Sequence, residues 1–109
     1  MRNMRVKKRF YDLIATGEKN LEVRVGYNNI TKIQVGERIN LQTHSESMVI
    51  EVVGVRVYTT FGEMLEAEDS ERIAPGMKSS DLLDLLRKFY PPAKEKLGVY
   101  VLEIKQVGS

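Results

Sequence analysis

The chain has 109 residues, 42% of them hydrophobic and 29% charged, with a formal net charge of +2, one histidine and no cysteine. That length suits one domain, residues 1–109, with a core of its own; the composition excludes disulfides and thiolate metal sites and speaks against a histidine-built metal centre, so no metal or cofactor is expected. No segment approaches the roughly 20 apolar residues of a membrane-spanning helix, and no apolar run follows the basic opening Met1 to Arg9 as in a signal peptide, so the expectation is a cytoplasmic domain with no membrane partner.

Charge is unevenly spread. Residues 1 to 39 hold nine Lys or Arg against four acids, whereas residues 60 to 86 hold seven acids against two basic residues. Arg2, Arg5, Lys7, Lys8 and Arg9 form a basic opening that suits a phosphate backbone, because each cation near a phosphate releases condensed counterions. A short solvated terminus would carry the same charges.

From Val6 to Thr16 the apolar residues Val6, Phe10, Leu13 and Ile14 fall at i, i+4, i+7 and i+8, one face of a helix, and Gly17 supplies its left-handed stop. Lys19 to Val25 then alternates as a strand: Leu21, Val23 and Val25 share one face, and Asn20, Glu22 and Arg24 share the other. Lys19 has the wrong parity to join Glu22 and Arg24 unless a turn or bulge after Gly17 swings it onto their side. Gly26 to Lys32 reads as a polar loop. Ile33, Val35, Ile39 and Leu41 have the parity of a half-buried strand interrupted at Gly36-Glu37. After a turn at His44 to Ser47, Met48, Ile50 and Val52 alternate, and then Val53, Val55 and Val57 take over; this slip beside Gly54 predicts a β-bulge, a device that curls sheets.

Thr60-Phe61-Gly62-Glu63 fits a capping box, opening a helix to about Asp69 that buries Phe61, Met64 and Leu65. Ser70 to Met77 is irregular or a short helical turn. A second helix starts at Ser79 or Ser80, carries the stripe Leu82, Leu83, Leu86, Phe89 and Tyr90, and stops at Pro91-Pro92. Val99 to Ile104, apolar at successive positions, reads as a central strand covered on both faces for part of its length. The order of helix, three strands, two helices and a strand predicts a small α+β domain with a curved sheet or open barrel.

The string Gly17-x-Lys19-x-x-Glu22-x-Arg24 directly after an amphipathic helix, followed by Gly36-Glu37 and Phe89-Tyr90-Pro91, resembles the ASCH family, within the larger group of PUA-like domains. The resemblance runs from Val6 to Lys105. It implies a PUA-like open β-barrel or strongly curved mixed sheet with flanking helices, and a cleft lined by Lys19, Glu22 and Arg24. It also implies an RNA or nucleotide partner, since family members are associated with RNA as binding modules or as enzymes acting on RNA or modified nucleosides. In such a cleft Arg24 can grip a phosphate or base edge, Lys19 can contact a phosphate or transfer a proton, and Glu22 can orient Arg24, accept from a base amino group or act as a base. An ion-pair network on an exposed sheet face would use the same spacing.

One branch of the family looks like an amidohydrolase that deacetylates the exocyclic nitrogen of cytidine with a Lys, a Thr and a Glu. Lys19 matches its lysine, but Glu22 stands where the threonine nucleophile would be, and Pro75 stands near the position of its glutamate, with Glu68, Asp69 and Glu71 nearby. Other members resemble metal-assisted ribonucleases, which need clustered carboxylates. Glu66, Glu68, Asp69 and Glu71 are clustered in sequence, yet helical spacing points Glu68 and Asp69 apart. Basic support for the cleft is expected from Lys7, Lys8 or Arg9. Tyr27, Tyr58 and Tyr100 are candidates to stack on a base, whereas Phe10, Phe61 and Phe89 are assigned to the core and His44 to an exposed turn. Three readings follow: an RNA- or nucleotide-binding module, a hydrolase working through Lys19 and Glu22 in the same cleft, and a protein-interaction module using the acidic helices.

Overall fold

At the start of the chain Met4 and Val6 are buried while Arg5 and Lys7 are exposed, the alternation of an extended segment. In the computed structural model, which describes residues 1–108, this segment forms a strand, β1 (Arg2–Arg5), where the basic residues alone suggested a solvated end. Helix α1 (Lys8–Thr16) therefore starts later than its apolar stripe implied, and Val6 packs into the same core from the extended chain ahead of it. Gly17, at φ +83°, ends the helix in the left-handed conformation.

Strand β2 (Leu21–Val25) follows, then a single helical turn, α2 (Asn28–Thr31), within the expected loop. The strand expected to begin at Ile33 does not: Ile33 is buried from a loop, Val35 is exposed, and β3 runs only over Arg38–Gln42. Strand β4 (Ser47–Tyr58) carries the bulge, its register with the last strand slipping between Val52 and Gly54. The short helices α3 (Phe61–Ala67) and α4 (Ser70–Ile73), the longer α5 (Ser79–Phe89) and a last turn, α6 (Pro92–Glu95), precede β5 (Val99–Gln106). Thr60 Oγ1 accepts the Glu63 N–H at 3.1 Å, and the Glu63 carboxylate reaches back to the Thr59 N–H rather than to that of Thr60.

The strands form one sheet in the order β1-β3-β4-β5-β2, parallel between β1 and β3 and antiparallel elsewhere. This mixed sheet curls into a half-barrel with flanking helices. Each face carries a core. One gathers Tyr11 and Ile14 of α1 against Ile39, Leu41, Ile50, Val52, Leu102 and Ile104. The other packs Phe61, Met64, Ile73, Leu82 and Leu86 of the later helices against Leu21, Val23, Val25, Val99 and Val101. The central position of β5 explains its successive apolar residues: Val101 faces one core and Leu102 the other. Beyond the bulge, Val55 still packs on the α1 side while Tyr58 turns to the side of α3 and α5.

Where β2 leaves the sheet the chain passes so close to the turn before β5 that a Cβ on Gly26 would lie 2.2 Å from the Leu97 carbonyl oxygen. Gly26→Ala is therefore expected to destabilise the fold by about 1–3 kcal/mol in urea unfolding, the range for overpacking against unyielding neighbours. Gly62 in α3 meets nothing nearer than Thr60 Oγ1 at 3.8 Å. Gly62→Ala should be neutral or stabilising, by up to about 1 kcal/mol, because it restricts the unfolded chain.

Candidate functional site

The turn after Gly17, and not strand alternation, decides where Lys19 goes. Its backbone N–H reaches back to the Leu13 carbonyl at 3.0 Å, and Asn20 is pinned between the Arg72 carbonyl and the Ile104 N–H. The strand begins only at Leu21, so Lys19 is free to fold its side chain beneath it. There Nζ donates to the Leu21 carbonyl at 2.6 Å and to the Ile73 carbonyl at the end of α4 at 2.8 Å, and it lies 3.1 Å from Glu22 Oε1. The ammonium has three hydrogens and three acceptors around it, with the Phe10 ring 5.6 Å from Nζ.

Glu22 is held from its other oxygen by Arg24, with Oε2 2.8 Å from Nε and 2.7 Å from Nη2. Burial raises the cost of a charge on Glu22, but the adjacent Lys19 and Arg24 charges and their hydrogen bonds outweigh it and hold the carboxyl below the usual carboxylate range. Arg24 Nη2 also donates to the Arg5 carbonyl at 2.8 Å, spanning from the edge strand β2 to the end of the opposite edge strand β1. Arg24 Nη1 has no hydrogen-bond acceptor among the described residues.

These side chains form the polar side of a cleft of about 230 Å³ where the two edges of the half-barrel approach. Arg5, Lys7 and Phe10 line it on the α1 side, and Leu82, Leu85, Leu86, Phe89 and Tyr90 on the α5 side. Lys7 Nζ sits 4.8 Å from the centre of the Phe89 ring, bridging from one side to the other. Arg5 and Lys7 have no carboxylate within ion-pair distance among the described residues. Burial pushes the Tyr90 phenol above its ordinary pKa, with Arg24 acting to lower it and Glu22 to raise it.

The structure thus brings Lys7, Lys19, Glu22 and Arg24 to one cleft and leaves the other sequence candidates outside its lining. Lys8 is held by Asp12 at 2.8 Å and Glu46 at 2.7 Å, on the side of the β3–β4 turn. Arg9 is exposed and lies over Phe10, 4.5 Å from the ring centre. Tyr27 is exposed beside Lys94 and is not part of the cleft lining, and Tyr58 donates its hydroxyl to Glu68. Phe89 departs from its core assignment: it is 44% exposed and lines the cleft, as does the half-buried Phe10. Their stripes are wider than the arc each helix buries, and the surplus rings border the opening.

A second ionic network lies on the α3 side of the sheet. Arg56 grips Glu68 through two hydrogen bonds at 2.6 and 2.9 Å and reaches Glu103 at 3.0 Å. Arg72 joins Glu103 at 3.1 Å and Asn20 at 2.8 Å. Arg56 holds the Glu68 carboxyl below its usual range. Of the remaining acids considered for a metal, Asp69 accepts the Glu71 N–H and Glu71 the Gly76 N–H, each at 3.0 Å, and Glu66 is exposed to solvent. No group of three or more such side chains converges as a metal site among the described residues.

A family model described as the ASCH domain matches residues 4–108. The crystal structure of hypothetical protein PH0355 is similar at a TM-score of 0.87 and 31% identity, over 98% of this chain and 100% of its own. Protein PF0455 from Pyrococcus furiosus, solved by NMR, gives a TM-score of 0.79 at 29% identity, over 99% of this chain and 98% of its own. An ASCH domain from Lactobacillus crispatus JV V101 shares the fold at a TM-score of 0.61 and 18% identity, over 87% of this chain and 68% of its own. No functionally curated protein matches the sequence.

Removing one member of a buried ion pair leaves the other charged and uncompensated, at a cost of roughly 3–5 kcal/mol. Lys19→Met is expected to lose that much stability in urea unfolding, since two carbonyls lose their donor as well. The lowered pKa of Glu22 adds a pH signature. Its stabilisation is fully present above the unfolded carboxyl pKa of about 4.3 and is lost as pH falls through the lower folded value. Glu22→Gln should therefore flatten the acid limb of a stability-versus-pH curve below about pH 4.3; an unchanged limb would show that Glu22 does not titrate as described.

Proposed function

The chain belongs to the ASCH domain family, and from that premise we propose that it binds RNA by taking one unstacked base or nucleotide into the cleft beside Arg24. The observation that carries this reading is an aromatic-edged cleft whose mouth holds two cations, Arg5 and Lys7, without acidic partners among the described residues. At about 230 Å³ the cleft falls below the roughly 300–1,000 Å³ of pockets for drug-sized ligands. That space suits a single planar ring and is too small for a folded oligonucleotide. Phe10, Phe89 and Tyr90 offer ring faces or edges, and unstacked bases are recognised by such faces in single-stranded RNA. Arg24, oriented by Glu22 and with Nη1 to spare, can donate to a base edge or phosphate oxygen. Lys7 already lies over Phe89 and can exchange that contact for a phosphate.

Binding stands ahead of hydrolysis on the same geometry. A proton-transfer lysine needs a free position, and the three hydrogens of the Lys19 ammonium all have acceptors. A general base works best with a pKa near the working pH, and Glu22 is shifted the other way. Neither group therefore suits acid–base work in this arrangement.

Phe89→Ala should weaken binding of a single-stranded oligoribonucleotide by about 1–3 kcal/mol, the loss of one stacking partner, measured by fluorescence anisotropy. Because Phe89 is half exposed, its thermal unfolding should barely move. Arg24→Ala should weaken the same binding and make it less salt-dependent. Affinity indifferent to salt and to both substitutions would overturn the proposal. Incubation with N4-acetylcytidine, or with labelled RNA with and without magnesium or manganese, is expected to give no turnover; turnover abolished by Glu22→Gln would replace binding with catalysis.

A further inference from the structure

We infer that the cleft is the end of a longer track, and that the ligand is a single-stranded oligoribonucleotide whose backbone continues from the cleft into a basic groove between the start of α1 and the β3–β4 turn. This rests on the cleft reading above and extends it from one base to a strand.

The groove is a space of about 600 Å³ with Arg5, Lys7 and Lys8 on one wall and Thr43, His44 and Ser45 on the other. Arg5, Val6 and Lys7 line both the cleft and the groove, so these residues form the ridge between them. Val6 is buried beneath that ridge, and the exposed Arg5 and Lys7 flank it on extended backbone. Two residues of extended chain span about 6.4–6.8 Å, close to the stride between successive phosphates of an extended strand. The ridge therefore presents two unpaired cations at a phosphate-like interval, one step from the proposed base site.

The far wall of the groove is held in place before any ligand arrives. Val6 N–H donates to the Gln42 carbonyl at 2.9 Å, and Lys8 ties the turn to α1 through Glu46. Thr43 Oγ1 accepts the N–H groups of Ser45 and Glu46, which fixes the turn and leaves His44 and Ser45 exposed. Lys8 is more than offset by its two carboxylate partners, Asp12 and Glu46, and serves to anchor the turn, so the cationic character of the groove comes from Arg5 and Lys7; the polar groups left for sugar and phosphate oxygens are these two, the Ser45 hydroxyl and the His44 ring. The opposite wall of the cleft offers Leu82, Leu85 and Leu86, which have nothing for a phosphate. A strand with one base in the cleft is thus directed over the Arg5–Lys7 ridge into the groove.

The test compares nucleoside 5′-monophosphates with a mixed-sequence single-stranded hexaribonucleotide on the isotope-labelled full chain. By amide chemical-shift mapping, the monophosphates should move resonances of the cleft, such as Val23, Arg24 and Tyr90, and the hexamer should move those together with Thr43, His44 and Ser45. The hexamer should bind at least roughly 10-fold more tightly than a monophosphate at low salt and lose that advantage as salt rises. The double variant His44→Glu, Ser45→Glu, whose thermal unfolding is checked first, should cut hexamer affinity by roughly 10-fold through repulsion of phosphates. Cleft shifts with a monophosphate but no shift at Thr43–Ser45 with the hexamer would overturn the track and leave the cleft reading standing. Hexamer affinity insensitive to the double variant would do the same, and no shift with either ligand would remove both.

Discussion

A buried ammonium persists only where its charge is matched and each of its hydrogens has an acceptor, and the arrangement around Lys19 meets both conditions with three acceptors drawn from two elements. The Leu21 carbonyl comes from the start of β2, the Ile73 carbonyl from the end of α4, and the carboxylate from Glu22 within β2. Displacing any one of them would leave a buried charge or carbonyl without its partner. The position of α4 against β2 is therefore tied to the side chain of one residue in the turn after α1. Glu22 passes the constraint on to Arg24, and Arg24 carries it across to the Arg5 carbonyl, so a chain of charge-assisted contacts links the two edges of the half-barrel.

The cleft follows from that closure. A five-stranded sheet with β1 and β2 at its edges would ordinarily leave both exposed to unwanted pairing. Here the β2 edge is flanked by α1 on one side and by α4 and α5 on the other, and the space between the two helical groups remains open. Polar side chains gather where the edges meet, and apolar rings at the margins of the α1 and α5 stripes border the opening. The cleft thus lies at the seam between the two cores. Strand β2 and the ion pair with Glu22 hold Arg24 in position there with Nη1 unengaged, a preorganisation that suits the planar ligand proposed for the cleft.

The Arg56–Glu68–Glu103–Arg72 network has a different character. It joins the end of α3 and α4 to β4 and β5, and its carboxylates are matched by guanidinium groups at close range. None of its four residues lines the cleft, although Arg72 adjoins Ile73 and holds Asn20 beside Lys19. Its geometry is that of a brace holding the α3–α4 segment on the sheet, and of the clustered acids it takes in Glu68 alone.

By itself the sequence determined the fold class, the C-terminal glycine stop of α1, the bulge beside Gly54, the α5 stripe and the doubly covered last strand, because each is written in local periodicity or in residues with restricted backbone preferences. It also singled out Lys19, Glu22 and Arg24 as a group. It did not reveal β1, whose four residues pair in parallel with a strand far along the chain, nor did it foresee that Ile33 and Val35 would lie in a loop. Tertiary structure alone decided that Lys19 lies inward with its ammonium held by two carbonyls and the Glu22 carboxylate, that Phe10 and Phe89 border the cleft, and that Lys8, Arg9, Tyr27 and Tyr58 lie outside its lining. The physical reason is common to these cases. Periodicity tells which face of its own element a residue occupies, whereas the partners of a charge and the exposure of a ring depend on which other elements arrive beside it.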